Sequence, residues 1–342
     1  MLGLAGIVTF IVTVACCEYA ETIGRRLHVI DRPDGARKVH GAPTPLAGGV
    51  ALAGPLAVLV LLQFSITPER APFLTALLVA GLGCLVLGYV DDRWTLRPAI
   101  RLAVAGMLFA GVAFFVPALR LTELDMESQG LWKLGMLAMP MTVLCAVTFL
   151  NAVNMADGRN GVVLGMSICW LYGLGCYAPP ALLPFFLFFI VCLVVVFMYN
   201  MAGRLFLGDS GSYLLAAVIG LISIRLYNLE PGLPLALAIL WFLVPVLDCL
   251  RLIVMRARAG RSPFSADSDH LHHHLGRRLP WRRALPVYLA LAAGPGFLGT
   301  AFPALAGEIL VVVPFVYGVV LRWAMRVPRP AEEKVPVLAS QR

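Results

Sequence analysis

The stretch PFLTALLVAGLGCLVLGYVDDRWTLRP, residues 72–98, decides how the chain is read. Pro72 to Val90 is an apolar run long enough to cross a bilayer as a helix, and Asp91 and Asp92 follow it without a spacer. A carboxylate at the centre of a bilayer costs about 2.5 to 3.5 kcal/mol on insertion scales, so the pair belongs at the interface or in a wet cavity. Two carboxylates there suit metal binding or proton transfer; the plainer role is to end the span. Arg93, one residue on, is placed to neutralise part of their charge.

The rest of the chain favours a membrane setting. Of 342 residues, 60% are hydrophobic and only 13% charged, more apolar surface than one soluble core can hide. Eleven apolar runs of spanning length are found, at about 1–20, 48–66, 72–90, 99–118, 134–153, 161–178, 181–200, 211–227, 233–253, 285–301 and 304–322. The fold expected is an all-α, polytopic integral membrane protein. With the N-terminus outside, alternate loops place 23 of the 27 Lys and Arg residues on the inner side, as cytoplasmic loops require, and the C-terminus is then cytoplasmic. The expected organisation is one transmembrane catalytic domain, 1–325, with inner loops 21–47, 91–98, 154–160, 201–210 and 254–284, followed by a short basic tail, 326–342.

The net charge of +8 then lies beside anionic lipid and gives no argument for nucleic acid. All eight cysteines fall in apolar runs without CxxC spacing, which excludes a disulfide or zinc framework.

The polar clusters gather in the inner loops. The first holds Arg37, Lys38 and His40, donors suited to phosphate, then Pro43-Thr44-Pro45 and the pair Gly48-Gly49. At the end of the fifth run, Asn151, Asn154 and Asp157 recur every three residues and share a helix face before Gly158 and Gly161 break it, a surface able to read a sugar or a base. Gly208-Asp209-Ser210-Gly211, just before a helix, offers free backbone N–H groups with a carboxylate among them, a cradle for a diphosphate and its bridging cation; simple N-caps are the alternative. Asp248 and Arg251 sit at i, i+3 and can pair. His270, His272, His273 and His274 are too crowded for one tetrahedral ion, which favours phosphate contact or proton transfer. A transporter would more naturally show broken helices and two related halves, and no duplication is visible.

Five stretches together resemble the polyprenyl-phosphate N-acetylhexosamine-1-phosphate transferase family: DRPDGARKVHGAPTPLAGG (31–49), GYVDDRWTL (88–96), NAVNMADGRNG (151–161), NMAGRLFLGDSGSY (200–213) and PFSADSDHLHHHL (263–275). The resemblance implies an eleven-helix membrane enzyme that moves a sugar 1-phosphate from a UDP-sugar to polyprenyl phosphate and releases UMP. It implies catalytic roles for Asp91, Asp92, Asp157, His270, His272 and His273, with Asp91 the base toward the lipid phosphate. Substrate contacts are expected from Lys38, His40, Thr44, Asn151, Asn154, Asn200, Phe206 and Arg251, Phe206 stacking on uracil. The metal, Mg2+ or Mn2+, is expected on Asp209, with Asp92 a second candidate. The histidine segment resembles the branch that begins O-antigen, common-antigen or teichoic acid linkage synthesis with GlcNAc-1-phosphate on undecaprenyl phosphate. Alternatives are a modified N-acetylhexosamine donor, UDP-MurNAc-pentapeptide, or a lipid or solute transporter. The expected partners are the two substrates and membrane lipid, with a homodimer as an allowed assembly, and the expected location is the inner plasma membrane with the site on its cytoplasmic face. One departure stands out: Asn160 occupies the place of the family's second acidic residue in Asp-Gly-x-Asp-Gly.

Overall fold

The computed structural model describes residues 2–32, 42–125, 130–229, 232–263 and 268–326. Among them the chain forms α1 (Leu2–Glu18), α2 (Ala20–Leu27), α3 (Gly48–Ile66), α4 (Ala71–Trp94), α5 (Pro98–Phe115), α6 (Ala138–Ala156), α7 (Val162–Gly175), α8 (Leu183–Met201), α9 (Gly208–Tyr227), α10 (Leu235–Arg258), α11 (Leu271–Arg278), α12 (Trp281–Ala301) and α13 (Ala306–Met325). Helix is the form that satisfies every backbone polar group within an apolar segment, which is what lipid demands. Five 3-10 turns and two short antiparallel ladders are also present: β1 (Ile30–Asp31) with β2 (Thr44–Pro45), and β3 (Glu123–Asp125) with β4 (Leu131–Lys133).

All eleven apolar runs are helical, but they are not eleven full-length spans. Nine helices among the described residues are long and apolar enough to cross a membrane, or ten if the bent pair α1 and α2, which turn through 66°, counts as one. The run 161–178 yields only the 14 residues of α7, about 21 Å at 1.5 Å per residue against a hydrocarbon core of about 30 Å. Gly161, at φ +86°, is its N-cap, and the helix stops at Gly175, three residues before the run does. Ten of its fourteen residues are buried, so most of its surface packs against protein, with Tyr172 exposed. Hydropathy reports apolarity, and it does not distinguish protein from lipid surroundings.

The loops are also shorter than the apolar runs suggest. Helix α4 continues through Trp94, so Asp91 and Asp92 lie in its last turn and not beyond it. Helix α10 likewise runs on to Arg258, and α2 and α11 form inside the expected loops 21–47 and 254–284.

Helix α9 is the centre of the bundle. Its spanning window is 83% buried, against 22% for α5 and for α13. Helices α4, α6, α3 and α7 surround it, and α4 lies closest. Small residues allow that approach: a Cβ on Gly88 would fall 2.5 Å from Cα of Ser210 and nearer still to the Asp209 carbonyl. At the same end, Gly49 faces the Gly211 amide, where a Cβ would come within 2.7 Å. The β1–β2 ladder delivers Thr44 and Pro45 to this place. Phe206 N–H donates to Pro45 O (2.9 Å) and Gly48 N–H to Phe206 O (3.0 Å), which ties the first loop to the entry of α9. The β3–β4 hairpin lies at the opposite end, where Tyr227 hydroxyl donates to Glu123 O at 3.0 Å.

Candidate active site

The N-terminal end of α9 meets the C-terminal ends of α4 and α6, and their carboxylates converge there. Successive residues of a helix point about 100° apart, so Asp91 and Asp92 face different partners. Asp91 is buried. Its Oδ1 accepts Leu96 N–H at 2.8 Å, and its Oδ2 accepts Arg101 Nη1 at 2.7 Å and Tyr213 hydroxyl at 3.2 Å. Asp92 instead reaches across to α9, where Asp209 N–H donates to its Oδ1 (2.9 Å) and Ser210 N–H to its Oδ2 (3.0 Å). A side chain of α4 thus caps α9, at the positive end of the helix dipole.

This capping corrects one expectation. The Gly208-Asp209-Ser210-Gly211 turn does not present those two amides to a diphosphate, because a neighbouring carboxylate already holds them. What remains available is the Asp209 side chain. Asn154 Nδ2 donates to Asp209 Oδ1 at 2.6 Å and to Ser212 Oγ at 3.1 Å, which fixes the carboxylate's orientation.

Asp157 stands just past the end of α6, as its C-cap residue. Burial pushes its carboxyl up to about 7, and the nearby charge of Asp92 adds to the effect. Over the Asp157-Gly158 turn lie the histidines of α11: a Cβ on Gly158 would meet His273 Nε2 at 2.8 Å and His272 Nε2 nearer. Asp91, Asp92, Asp157, Asp209 and the histidine helix therefore do share one end of the bundle.

The histidines beside this turn are buried to different degrees. His272 is fully buried with neither ring nitrogen hydrogen-bonded among the described residues. Burial, then the charges of His273 and His270, hold its pKa well below the ordinary imidazole range. His273 is lowered to about 4, by burial first and then by His270, Arg159 and Arg277. Both shifts disfavour the imidazolium form of these rings.

Other expected residues fall into two groups. Thr44 is buried beside the entry of α9, its hydroxyl donating to Ala42 O at 3.0 Å, and Phe206 is half-buried there. Asn151 bonds back to Val147 O within α6 (2.8 Å). Asn200 uses its whole amide to hold chain together: its Oδ1 accepts Gly161 N–H (2.7 Å) and its Nδ2 donates to Leu205 O (3.1 Å). Arg251 pairs with Asp248 (2.9 Å) as expected, and Arg251 Nε donates to Tyr317 hydroxyl at 2.9 Å. Lys38 and His40 lie outside the described residues.

Sequence reading missed Arg101 as a site residue and counted it only toward topology. A lone arginine inside an apolar helix was the available signal, since such charges seldom lack a partner. Tyr213 gave no comparable signal.

As a cation site the cluster offers hard oxygen donors, the kind Mg2+ prefers. Among the described residues no three His, Cys, Asp or Glu side chains are arranged to hold an ion by themselves.

Comparison with known proteins identifies the family. The family model for glycosyl transferase family 4 matches residues 74–227, from α4 through α9. Decaprenyl-phosphate N-acetylglucosaminephosphotransferase of Mycobacterium leprae is 30% identical over 316 residues, covering 80% of this chain and 76% of the relative. Undecaprenyl-phosphate alpha-N-acetylglucosaminyl 1-phosphate transferase of Yersinia pestis is 28% identical over 349 residues, covering 94% and 91%. A probable undecaprenyl-phosphate N-acetylglucosaminyl 1-phosphate transferase of Bacillus subtilis is 28% identical, covering 80% and 76%. With its carboxylates gathered on helices inside the matched region, the chain belongs to glycosyl transferase family 4, as a multi-pass membrane enzyme of the polyprenyl-phosphate N-acetylhexosamine-1-phosphate transferase group.

Proposed function

We propose that this enzyme transfers N-acetylglucosamine 1-phosphate from UDP-N-acetylglucosamine to undecaprenyl phosphate, releasing UMP, as the first committed step of a cell-surface glycan. The observation that carries the reading is the convergence of Asp91, Asp92, Asp157 and Asp209 at one end of α9, with Asn154 and the histidine helix beside them. The names of the relatives support the donor sugar and the acceptor class. The 23-to-4 bias of basic residues supports a site on the cytoplasmic face of the inner membrane.

The chemistry is attack by an acceptor phosphate oxygen on the sugar-bearing phosphorus of the donor. The new phosphorus–oxygen bond forms as the bond to the bridging diphosphate oxygen breaks, and UMP leaves with that electron pair. A phosphate monoester loses its second proton near pH 6, so at neutral pH the acceptor is mostly dianionic and needs no base. Asp91, whose oxygens are occupied by Leu96, Arg101 and Tyr213, accordingly acts by holding Arg101 and the end of α4 in place. Asp209, steadied by Asn154, is the residue to hold Mg2+, with Asp92 close by. Bound there, the ion would neutralise charge on the donor diphosphate.

The test is direct. Purified protein given UDP-[14C]N-acetylglucosamine and undecaprenyl phosphate with Mg2+ should form a chloroform-soluble product and one UMP per product. Asp209→Asn and Asp91→Asn should each lower turnover by about 100-fold or more while still inserting in the membrane. Release of UDP, or near-normal turnover in either variant, would overturn the assignment.

A further inference from the structure

The final helix, α13, carries Tyr317, whose hydroxyl meets a buried carboxylate on α10. Asp248, 2% exposed on α10, has both oxygens doubly engaged. Its Oδ2 faces His270 Nδ1 at 2.8 Å and accepts Leu271 N–H at 3.2 Å. Its Oδ1 accepts Tyr317 hydroxyl at 2.6 Å and Arg251 Nη2 at 2.9 Å. Tyr317 in turn accepts Arg251 Nε at 2.9 Å, so α13 closes the ring. His270 is the residue before α11 and has no side-chain cap of its own, and the Asp248 carboxylate serves as that cap from another helix.

Two consequences follow from chemistry alone. A carboxylate with no proton to give can only accept from His270 Nδ1, so it holds a proton on Nδ1 and directs Nε2 away from Asp248. The same contacts fix the roll of α11, because His270 stacks on His272 (centroids 5.4 Å apart, planes 11° apart) and His272 packs on the Asp157-Gly158 turn.

We propose that Asp248 and Tyr317 form a positioning pair that sets the tautomer of His270 and seats the histidine helix against Asp157. The proposal rests on the transfer reaction proposed above. Neither residue touches substrate; both act through His270. Asn in place of Asp248 keeps the shape but offers one acceptor oxygen and an N–H2, so either His270 or the Tyr317–Arg251 pair loses its acceptor. Phe in place of Tyr317 keeps the ring on α13 and deletes one hydroxyl.

The experiment uses full-length protein in detergent, with histidine labelled by 15N, and follows transfer kinetics, melting temperature and the ring-nitrogen spectrum of His270. The wild-type spectrum should show the Nδ1–H form. Asp248→Asn should lower kcat by about 100-fold, with KM for the UDP-sugar changed less than about threefold, and should mix the two tautomers. Should Asp248→Asn not fold, Tyr317→Phe decides: it should lower kcat by about 5- to 10-fold and broaden or shift the His270 signals. Unchanged kcat in Tyr317→Phe, or a wild-type His270 already in mixed tautomers, would overturn the proposal. Absence of transfer by the wild type would instead count against the transferase reading, and the tautomer spectra would still test the pair.

Discussion

Replacing Gly88 by Ala tests whether the contact between α4 and α9 sets the catalytic geometry. The added Cβ would lie 2.5 Å from Ser210 Cα, whereas carbon atoms rest at about 3.5 to 4.0 Å. The obstacle is helix backbone and cannot rotate aside, so the two helices must separate by about 1 Å. Asp92 is one turn along the same face of α4, and its bonds to the Asp209 and Ser210 amides, now 2.9 and 3.0 Å, would stretch to about 4 Å and cease to be hydrogen bonds. Overpacking costs about 1 to 3 kcal/mol, and each bond to a charged group about 1.5 to 3 kcal/mol. A 1 Å misplacement at a reacting centre costs about 100-fold in rate. Gly88→Ala should therefore melt several degrees lower in detergent and transfer at about 1% of the wild-type rate. Gly111→Ala, on α5 with nothing within 4 Å of the new atom, is the control and should match wild type in both. Gly88→Ala with more than half the wild-type turnover would refute the claim that this approach fixes the site.

Three further outcomes follow from particular residues. Asn160 Nδ2 donates to Asn200 O at 2.7 Å, a bond no carboxylate can make; Asn160→Asp should cost about 1 to 3 kcal/mol and lower the melting temperature, and a more stable variant would contradict this role. Asp157 has its carboxyl raised to about 7 by burial and by Asp92, so the native state holds its proton more tightly than the unfolded chain does. The stability this gives is complete below about pH 4 and is lost as pH rises through about 7. In metal-free buffer, wild type should lose roughly 1 kcal/mol per pH unit between about pH 5 and 7, and Asp157→Asn should show a flatter dependence; parallel curves would sink the assignment. Because His273 is lowered to about 4, His273→Gln should leave the acid limb of the transfer profile between about pH 5 and 7 unmoved, and a shifted limb would show that His273 titrates there.

Much of the architecture was legible because lipid imposes a simple rule: long apolar runs become helices. The same rule could not show that α7 is short and packed mostly against protein, since a residue such as Trp170 reads as equally apolar in either setting. The site was legible as a set of loops and not as a geometry. Asp91 and Asp92 are neighbours in sequence, yet the partners that give them different tasks come from Arg101 and Tyr213 on one side and from the amides of Asp209 and Ser210 on the other. The charge of the histidines depended on burial beneath α12, through Tyr288, which stands edge-on to His272. Asn160 read as a missing acid, and the fold shows a donor with a definite acceptor.

The way α4 reaches over to α9 also bears on how the enzyme tolerates its surroundings. The end of a helix attracts any small anion that can approach it, and here the protein keeps a tethered one of its own in that seat. Phosphate and sulfate in the surrounding water find these two amides already taken. Shortening Asp92 to alanine would vacate that seat, and the crippled enzyme should then bind inorganic phosphate where the parent ignores it.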